Sequence, residues 1–275
     1  DITIIPAKTN GFKPGTKIED IEVNFSNWMR SHGGYNSLRF SNLKKINKVN
    51  VKNLDLAWTY NSSDGKKGIQ ANPVAYNGLV YFPTPGNKII CLDGESGQLI
   101  WQYKPPKGFN VAKRGLLLWE DKKNNLLKLF FTNDDQLISL NAKTGEPIKN
   151  FGDNGIVKSG SSPITPTIID NYIILGTTRP AIEVYDVYSG KIIWKYYLRK
   201  INKSKTNARD FAGGIPWGGI SSDSKNGLLF LTTGNSRPYY VGILRPGKNL
   251  YANSIIAFDV RNKKLLWHFQ ETCHY

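Results

Sequence analysis

Residues 89–103 read IICLDGESGQLIWQY: an apolar strand, an aspartate, a tight turn closed by glycine, then a second apolar strand that reaches a tryptophan. Three more stretches follow the same template: LISLNAKTGEPIKNF from 137, IEVYDVYSGKIIWKY from 182 and IIAFDVRNKKLLWHF from 255. The acid or amide falls at Asp93, Asn141, Asp186 and Asp259, with glycine four residues later at Gly97, Gly145 and Gly190. Tryptophan stands eight residues after the acid at Trp101, Trp194 and Trp267. Each part has a physical purpose. The Asp or Asn side chain caps turn N–H groups, glycine takes positive φ, and an indole at fixed register wedges against the neighbouring unit. The second copy has Lys149 in place of tryptophan and the fourth has Lys263 in place of glycine, which are imperfections of single copies.

A further pair of apolar runs precedes each template. NPVAYNGLVYFPT, SPITPTIIDNYIILGT and GGISSDSKNGLLFLTTGN each carry a hairpin signal, YNGL, IDNY or KNGL, between the runs. A unit of about 45 residues with four antiparallel strands, the last anchored by tryptophan, is the pattern of a β-propeller blade. The expected fold is therefore all-β, a β-propeller of four-stranded antiparallel blades with docking tryptophans. The spacing from acid to acid is 48, 45 and 73 residues, so the last interval carries an insertion of about 28 residues. Insertions within a repeat map to loops on one face, often the functional one. This one holds NARDFAGGIPWGG and SRPYYVGILRPGKN. Residues 1–60 read as a lead-in segment with a short helix near INKVNVKNL and a first propeller strand ending at Trp58 and Tyr60; residues 61–275 read as a partial propeller.

Composition narrows the partners. The net charge of +16 comes from 37 basic against 21 acidic residues. The basic residues are 28 Lys and 9 Arg, mostly scattered through turns such as SSDGKKG and EDKKNN, without a recognition-helix or RNP-like pattern. A solvated lysine-rich surface is expected and no nucleic acid partner; an acidic redox partner or an anionic membrane face would suit the charge. Cys91 and Cys273 are the two thiols and form no CxxC motif, which speaks against structural zinc and a disulfide framework. No run of 18 apolar residues exists. The opening DITIIPAKTNGFKPG lacks the basic and long apolar regions of a signal peptide.

Conventional catalytic motifs are missing. His32, His268 and His274 lie in no HExxH, and there is no GxSxG, Walker A loop or Rossmann fingerprint. A cofactor enzyme or a binding scaffold remains. RSHGGYNSLRFSNLKKINKVNVKNLDLAWTY, KRGLLLWED, LISLNAKTGEPIKNFGDNGIV, PWGGISSDSKNGLLFLTTGN and GKNLYANSIIAFD, in this order, resemble the pyrroloquinoline quinone (PQQ)-dependent dehydrogenases, and the glucose dehydrogenase branch in particular. The resemblance covers the chain from Trp28 onward.

It implies an eight-bladed propeller, of which four templates make about half, and so a chain that is a piece of a longer protein. It implies a tricyclic quinone stacked on a Trp eighteen residues before a calcium-binding Asn, here Trp217 and Asn235. An indole is the largest flat apolar surface a protein has, and an amide carbonyl is a hard-oxygen ligand suited to calcium. Arg114 matches the arginine beside the quinone oxygens, and Ser162 and Thr177 match polar residues that hydrogen-bond the cofactor. Several members supply a calcium-binding Glu shortly after the glycine that precedes Thr177. This chain reads GTTRPAIEVYD there, and Glu183, inside the strand template, is not assigned to the shell. The alcohol branch often has vicinal cysteines before the arginine, and GFNVAKRG has none.

The implied cofactors are PQQ and Ca2+. The implied reaction is oxidation of a sugar or alcohol C–OH to a carbonyl, with electrons passed to a membrane quinone or a cytochrome, in the periplasm. The closing LLWHFQETCHY approaches the family's His-Asp and Trp-Asp stretch, so the aspartate base is expected after Tyr275, and the 275 residues by themselves are expected to be inactive. The rival reading is a non-enzymatic propeller scaffold of the outer-membrane protein assembly type.

Overall fold

The computed structural model describes residues 26–65, 68–106, 111–112, 114–198, 214–237, 241–244 and 248–272. Among the described residues sixteen strands form four antiparallel sheets, each in simple up-and-down order. The first holds β1 (Val74–Tyr76), β2 (Leu79–Pro83), β3 (Ile89–Asp93) and β4 (Leu99–Tyr103). The second holds β5 (Leu117–Asp121), β6 (Leu126–Asn133), β7 (Gln136–Asn141) and β8 (Ile156–Lys158). The third is β9 (Thr167–Ile169), β10 (Tyr172–Thr177), β11 (Ala181–Asp186) and β12 (Ile192–Tyr197). The fourth is β13 (Ile220–Asp223), β14 (Leu228–Thr232), β15 (Ser254–Asp259) and β16 (Lys264–Gln270). These are the four expected blades. The short helix expected near INKVNVKNL is a 3-10 turn at Val51–Asn53.

The repeated turn works as its residue types require. The Asp93 carboxylate accepts from the Ser96 N–H at 2.7 Å and the Ser96 hydroxyl at 2.7 Å, and the Gly97 N–H donates to the Asp93 carbonyl at 2.9 Å. Asp186 repeats the arrangement with Ser189 and Gly190. Lys263, in the fourth copy, takes the glycine's positive φ at 56°.

Tryptophans then join blades. The Trp58 indole donates to the Gly94 carbonyl at 3.1 Å, and the Trp101 indole to the Ala142 carbonyl at 3.0 Å. Gly97 and Gly145 lie so close beneath these rings that a Cβ would come within 2.5 Å and 2.7 Å of them. The other two junctions are built differently. Lys149 cannot fill an apolar notch, so Phe151 and Val157 pack against Gly190 instead. The chain also loops from Pro147 to Gly155 before β8 forms, which moves the outer strand of this blade beyond its template. At the last junction Trp194 stacks on Phe258, with centroids 5.3 Å apart and planes at 22°.

The lead-in segment does more than lead in. Residues 28–37 run along the inner strands of all four blades. Trp28 exchanges backbone hydrogen bonds with Ala75 on β1, and the Met29 carbonyl accepts from Leu118 on β5 at 2.7 Å. The Tyr35 carbonyl accepts from the Thr167 hydroxyl on β9 and the Ser222 N–H on β13. Arg30, 1% exposed, donates through Nε to the Pro166 carbonyl at 2.6 Å and through Nη2 to the Thr165 carbonyl at 2.9 Å. Its Nη1 donates to the Ser37 hydroxyl at 2.7 Å. Burial pushes its pKa down to about 10, so it stays charged at neutral pH.

Candidate cofactor-binding site

Arg114, Ser162 and Trp217 each sit just ahead of the inner strand of a blade: Arg114 before β5, Ser162 before β9, Trp217 before β13. Three consecutive blades therefore deliver them to one end of the molecule, near its axis. The eighteen-residue spacing from Trp217 to Asn235 has a simple cause. The β13–β14 hairpin lies between them and pairs Ile220 with Leu231, so the residues flanking it return side by side. The Gly234 N–H donates to the Ile215 carbonyl at 2.9 Å, and the Gly214 N–H to the Asn235 carbonyl at 3.3 Å.

Arg114 and Trp217 meet directly. The guanidinium carbon lies 4.3 Å from the centroid of the indole, and Trp217 is 47% exposed. The Arg114 Nε is buried without a hydrogen-bond partner. A buried guanidinium Nε without an acceptor, next to a half-exposed indole, suits a planar ligand with oxygen acceptors at its edge. Arg114 is held from behind, since the Thr165 hydroxyl donates to its carbonyl at 2.8 Å. Gly115 is obligatory: a Cβ there would meet the Ser31 Oγ at 1.4 Å, at a φ of 136°.

Ser162 and Thr177 are brought close to this platform but face their own backbone. The Ser162 hydroxyl donates to the Gly176 carbonyl at 2.9 Å, and the Thr177 hydroxyl to the Arg179 carbonyl at 2.7 Å. Gly176 in turn packs against Pro216, one residue before Trp217, where a Cβ would come within 2.9 Å of the ring. Glu183 is spent elsewhere. Its carboxylate accepts from the Gly160 N–H at 2.8 Å and the Tyr185 hydroxyl at 2.6 Å, and pairs with Lys195 at 2.5 Å. Among the described residues no three His, Cys, Asp or Glu side chains form a group able to hold a metal ion. Asn235, exposed on its loop, supplies one amide, short of the six to eight oxygens that calcium takes. Cys273, His274 and Tyr275 lie outside the described residues.

Residues 28–275 match the model of the β-propeller domain of the PQQ-dependent glucose, ethanol and alcohol dehydrogenases. The chain belongs to the PQQ-dependent dehydrogenase family. It is 31% identical over 279 residues to the quinohemoprotein alcohol dehydrogenase ADH IIB of Pseudomonas putida, covering 89% of this chain and 39% of that protein. It is 28% identical over 310 residues to methanol dehydrogenase (cytochrome c) subunit 1 of Methylorubrum extorquens, covering 98% of this chain and 49% of that subunit. The crystal structure of the quinohemoprotein alcohol dehydrogenase of Comamonas testosteroni superposes with a TM-score of 0.75 at 26% identity, over 91% of this chain and 42% of that one. This PQQ-dehydrogenase propeller thus spans less than half the length of these relatives.

The structure also gathers Ser31, His32 and Thr165 around Arg114, with Arg30 bonded behind them. The passage of residues 28–37 past the inner strands brings in Arg30, Ser31 and His32, Thr165 comes from the segment just before β9, and no spacing pattern in the sequence marks the four as a group.

Proposed function

We propose that this chain builds part of the PQQ site of an alcohol dehydrogenase. The observation that carries the reading is the Arg114–Trp217 pair, with the guanidinium over a half-exposed indole and its Nε lacking an acceptor. The named relatives are alcohol and methanol dehydrogenases, which moves the weight from the sugar substrate expected of the glucose branch to an alcohol. PQQ, when bound, supplies a quinone that accepts two electrons as a C–OH group becomes a carbonyl.

The work of this chain's own residues follows from where they stand. Trp217 offers its face to fix the plane of the ligand, and its fixed position before β13 limits tilt. Arg114 donates through Nε–H to an oxygen at the ligand's edge, where a positive charge stabilises negative charge that develops there. Ser162 and Thr177 define the neighbouring wall through the Gly176–Pro216 contact. Asn235, exposed on its loop, would give its amide oxygen to the metal as one ligand. Electron transfer to a cytochrome or a membrane quinone, and work in the periplasm, are part of the same proposal.

The test is retention of PQQ on the chain, read by absorbance after gel filtration in calcium buffer. Trp217→Ala is expected to weaken retention at least tenfold and Arg114→Gln about tenfold, with folding checked by circular dichroism. Retention that ignores both substitutions would refute the reading and favour a non-enzymatic scaffold, which has no use for a buried arginine Nε without an acceptor beside an exposed tryptophan.

A further inference from the structure

The loop from His32 to Arg39 adds a second polar feature to the platform. Gly219, two residues after Trp217, opens toward His32. A Cβ built there would have the His32 Cε1 at 4.0 Å and no other heavy atom as near. The Arg39 N–H donates to the His32 carbonyl at 3.0 Å, and the Arg39 Nη2 lies 3.4 Å from the His32 Nε2. A guanidinium only donates, so Nε2 is the acceptor and a neutral ring carries its proton on Nδ1. Ser37 and Arg39 hold positive φ values of 57° and 52°, and a Cβ added at Gly33 would meet the Arg39 backbone N at 3.4 Å. Non-glycine residues held in that region mark a turn fixed by its surroundings.

The charge around His32 is one-sided. Burial comes first among the causes that lower its pKa, followed by the fields of Arg30, Arg39 and Arg114. Arg30 is spent on the carbonyls of Thr165 and Pro166. Among the described residues neither Arg39 nor Arg114 is in an ion pair. Among the described residues Arg39 and the His32 imidazole meet with no carboxylate paired to either, in a field made more positive by Arg30 and Arg114, an arrangement that suits an anion.

We propose that His32 and Arg39 form a carboxylate-binding subsite beside the Trp217–Arg114 platform, which orients an anionic ligand by one carboxylate group. Arg39 presents a planar fork that matches a carboxylate, and the imidazole adds a donor once protonated. This subsite rests on the reading of the platform as the PQQ site. The carboxylate has two sources: PQQ itself, which carries such groups, or an alcohol substrate that bears one, a hydroxy acid.

The experiment follows the His32 imidazole by NMR in the 275-residue chain, assigned by loss of its signal in His32→Gln. The probes are glycolate, its neutral counterpart ethylene glycol, and PQQ. Glycolate is expected to shift the His32 signal and raise its pKa toward the usual value, because an anion offsets Arg30, Arg39 and Arg114; ethylene glycol leaves it unchanged. Arg39→Gln is expected to weaken the glycolate effect about tenfold, and Arg39→Lys, which keeps the charge without the fork, by less. If PQQ fills the subsite, PQQ alone raises the His32 pKa, glycolate then adds nothing, and Arg39→Gln lowers PQQ retention about tenfold. If PQQ leaves the signal responsive to glycolate, the carboxylate belongs to the substrate. A His32 signal unmoved by both anions overturns the subsite, even where Trp217→Ala still abolishes PQQ retention. A glycolate response in a chain whose PQQ retention ignores Trp217 keeps the anion subsite and refutes the platform.

Discussion

Arg30 shows how much one side chain can hold at the centre of a propeller. Its guanidinium satisfies three acceptors from two distant parts of the chain, and it is all but inaccessible to water. Arg30→Met keeps most of the volume but leaves two buried carbonyls unsatisfied. A loss of about 3 kcal/mol is expected in urea unfolding. Glu183 makes a pH-dependent prediction. Burial by itself would raise its pKa, but the Lys195 ammonium, the Tyr185 hydroxyl and the Gly160 N–H together hold it below the usual carboxylate value. A depressed carboxylate stabilises the fold above its unfolded pKa, about 4.3, and the contribution is lost as pH falls through the lower folded value. Thermal unfolding of the wild-type chain is therefore expected to steepen in its pH dependence below about pH 4.5. Glu183→Gln should flatten that slope and lower Tm at neutral pH. Trp217 and Asn235 were picked out together through the family resemblance, and the β13–β14 hairpin between them is what the structure adds. Arg30 and His32 were not picked out, because a lone polar residue in a turn-rich stretch has no periodicity to mark it, and the carbonyls that Arg30 serves at Thr165 and Pro166 lie more than 130 residues away.

The turn and strand that carry the docking tryptophan form the element on which the fold was recognised, and their packing grades the cost of breaking them. Trp101 is 8% exposed and hydrogen-bonded across the blade junction, whereas Trp267 is 48% exposed. Trp101→Ala is expected to cost about 3 to 5 kcal/mol in denaturant melts, and Trp267→Ala well under half of that. Gly145→Ala should destabilise as well, since the new methyl meets the Trp101 ring at a φ of 77°. Asp, Gly and Trp announced these junctions in the sequence because each residue type has one job in the turn. The second blade escaped the template. Lys149 removed the anchor, and the substitute, Phe151 with Val157, follows a loop whose length the repeat does not encode.

On the scale of the whole molecule, the blades are alike and the segment threaded along them is not. Gly115→Val would drive a side chain into Ser31 and is expected to loosen both this segment and Arg114. The measurable result is faster proteolysis near residues 28–37 and weaker PQQ retention, with the blade sheets kept in circular dichroism. The segment also constrains how the protein comes into being. Tyr35 and Asn36 are bonded to Ser222 and Ser221, 187 and 185 residues further along. At about 5 to 20 residues per second, a ribosome needs roughly 10 to 40 s to deliver those partners after Tyr35 has emerged. A stretch made well before the fourth blade is thus finished only with it, and through that interval Met29, Arg30 and Tyr35 are open to whatever binds nascent chains.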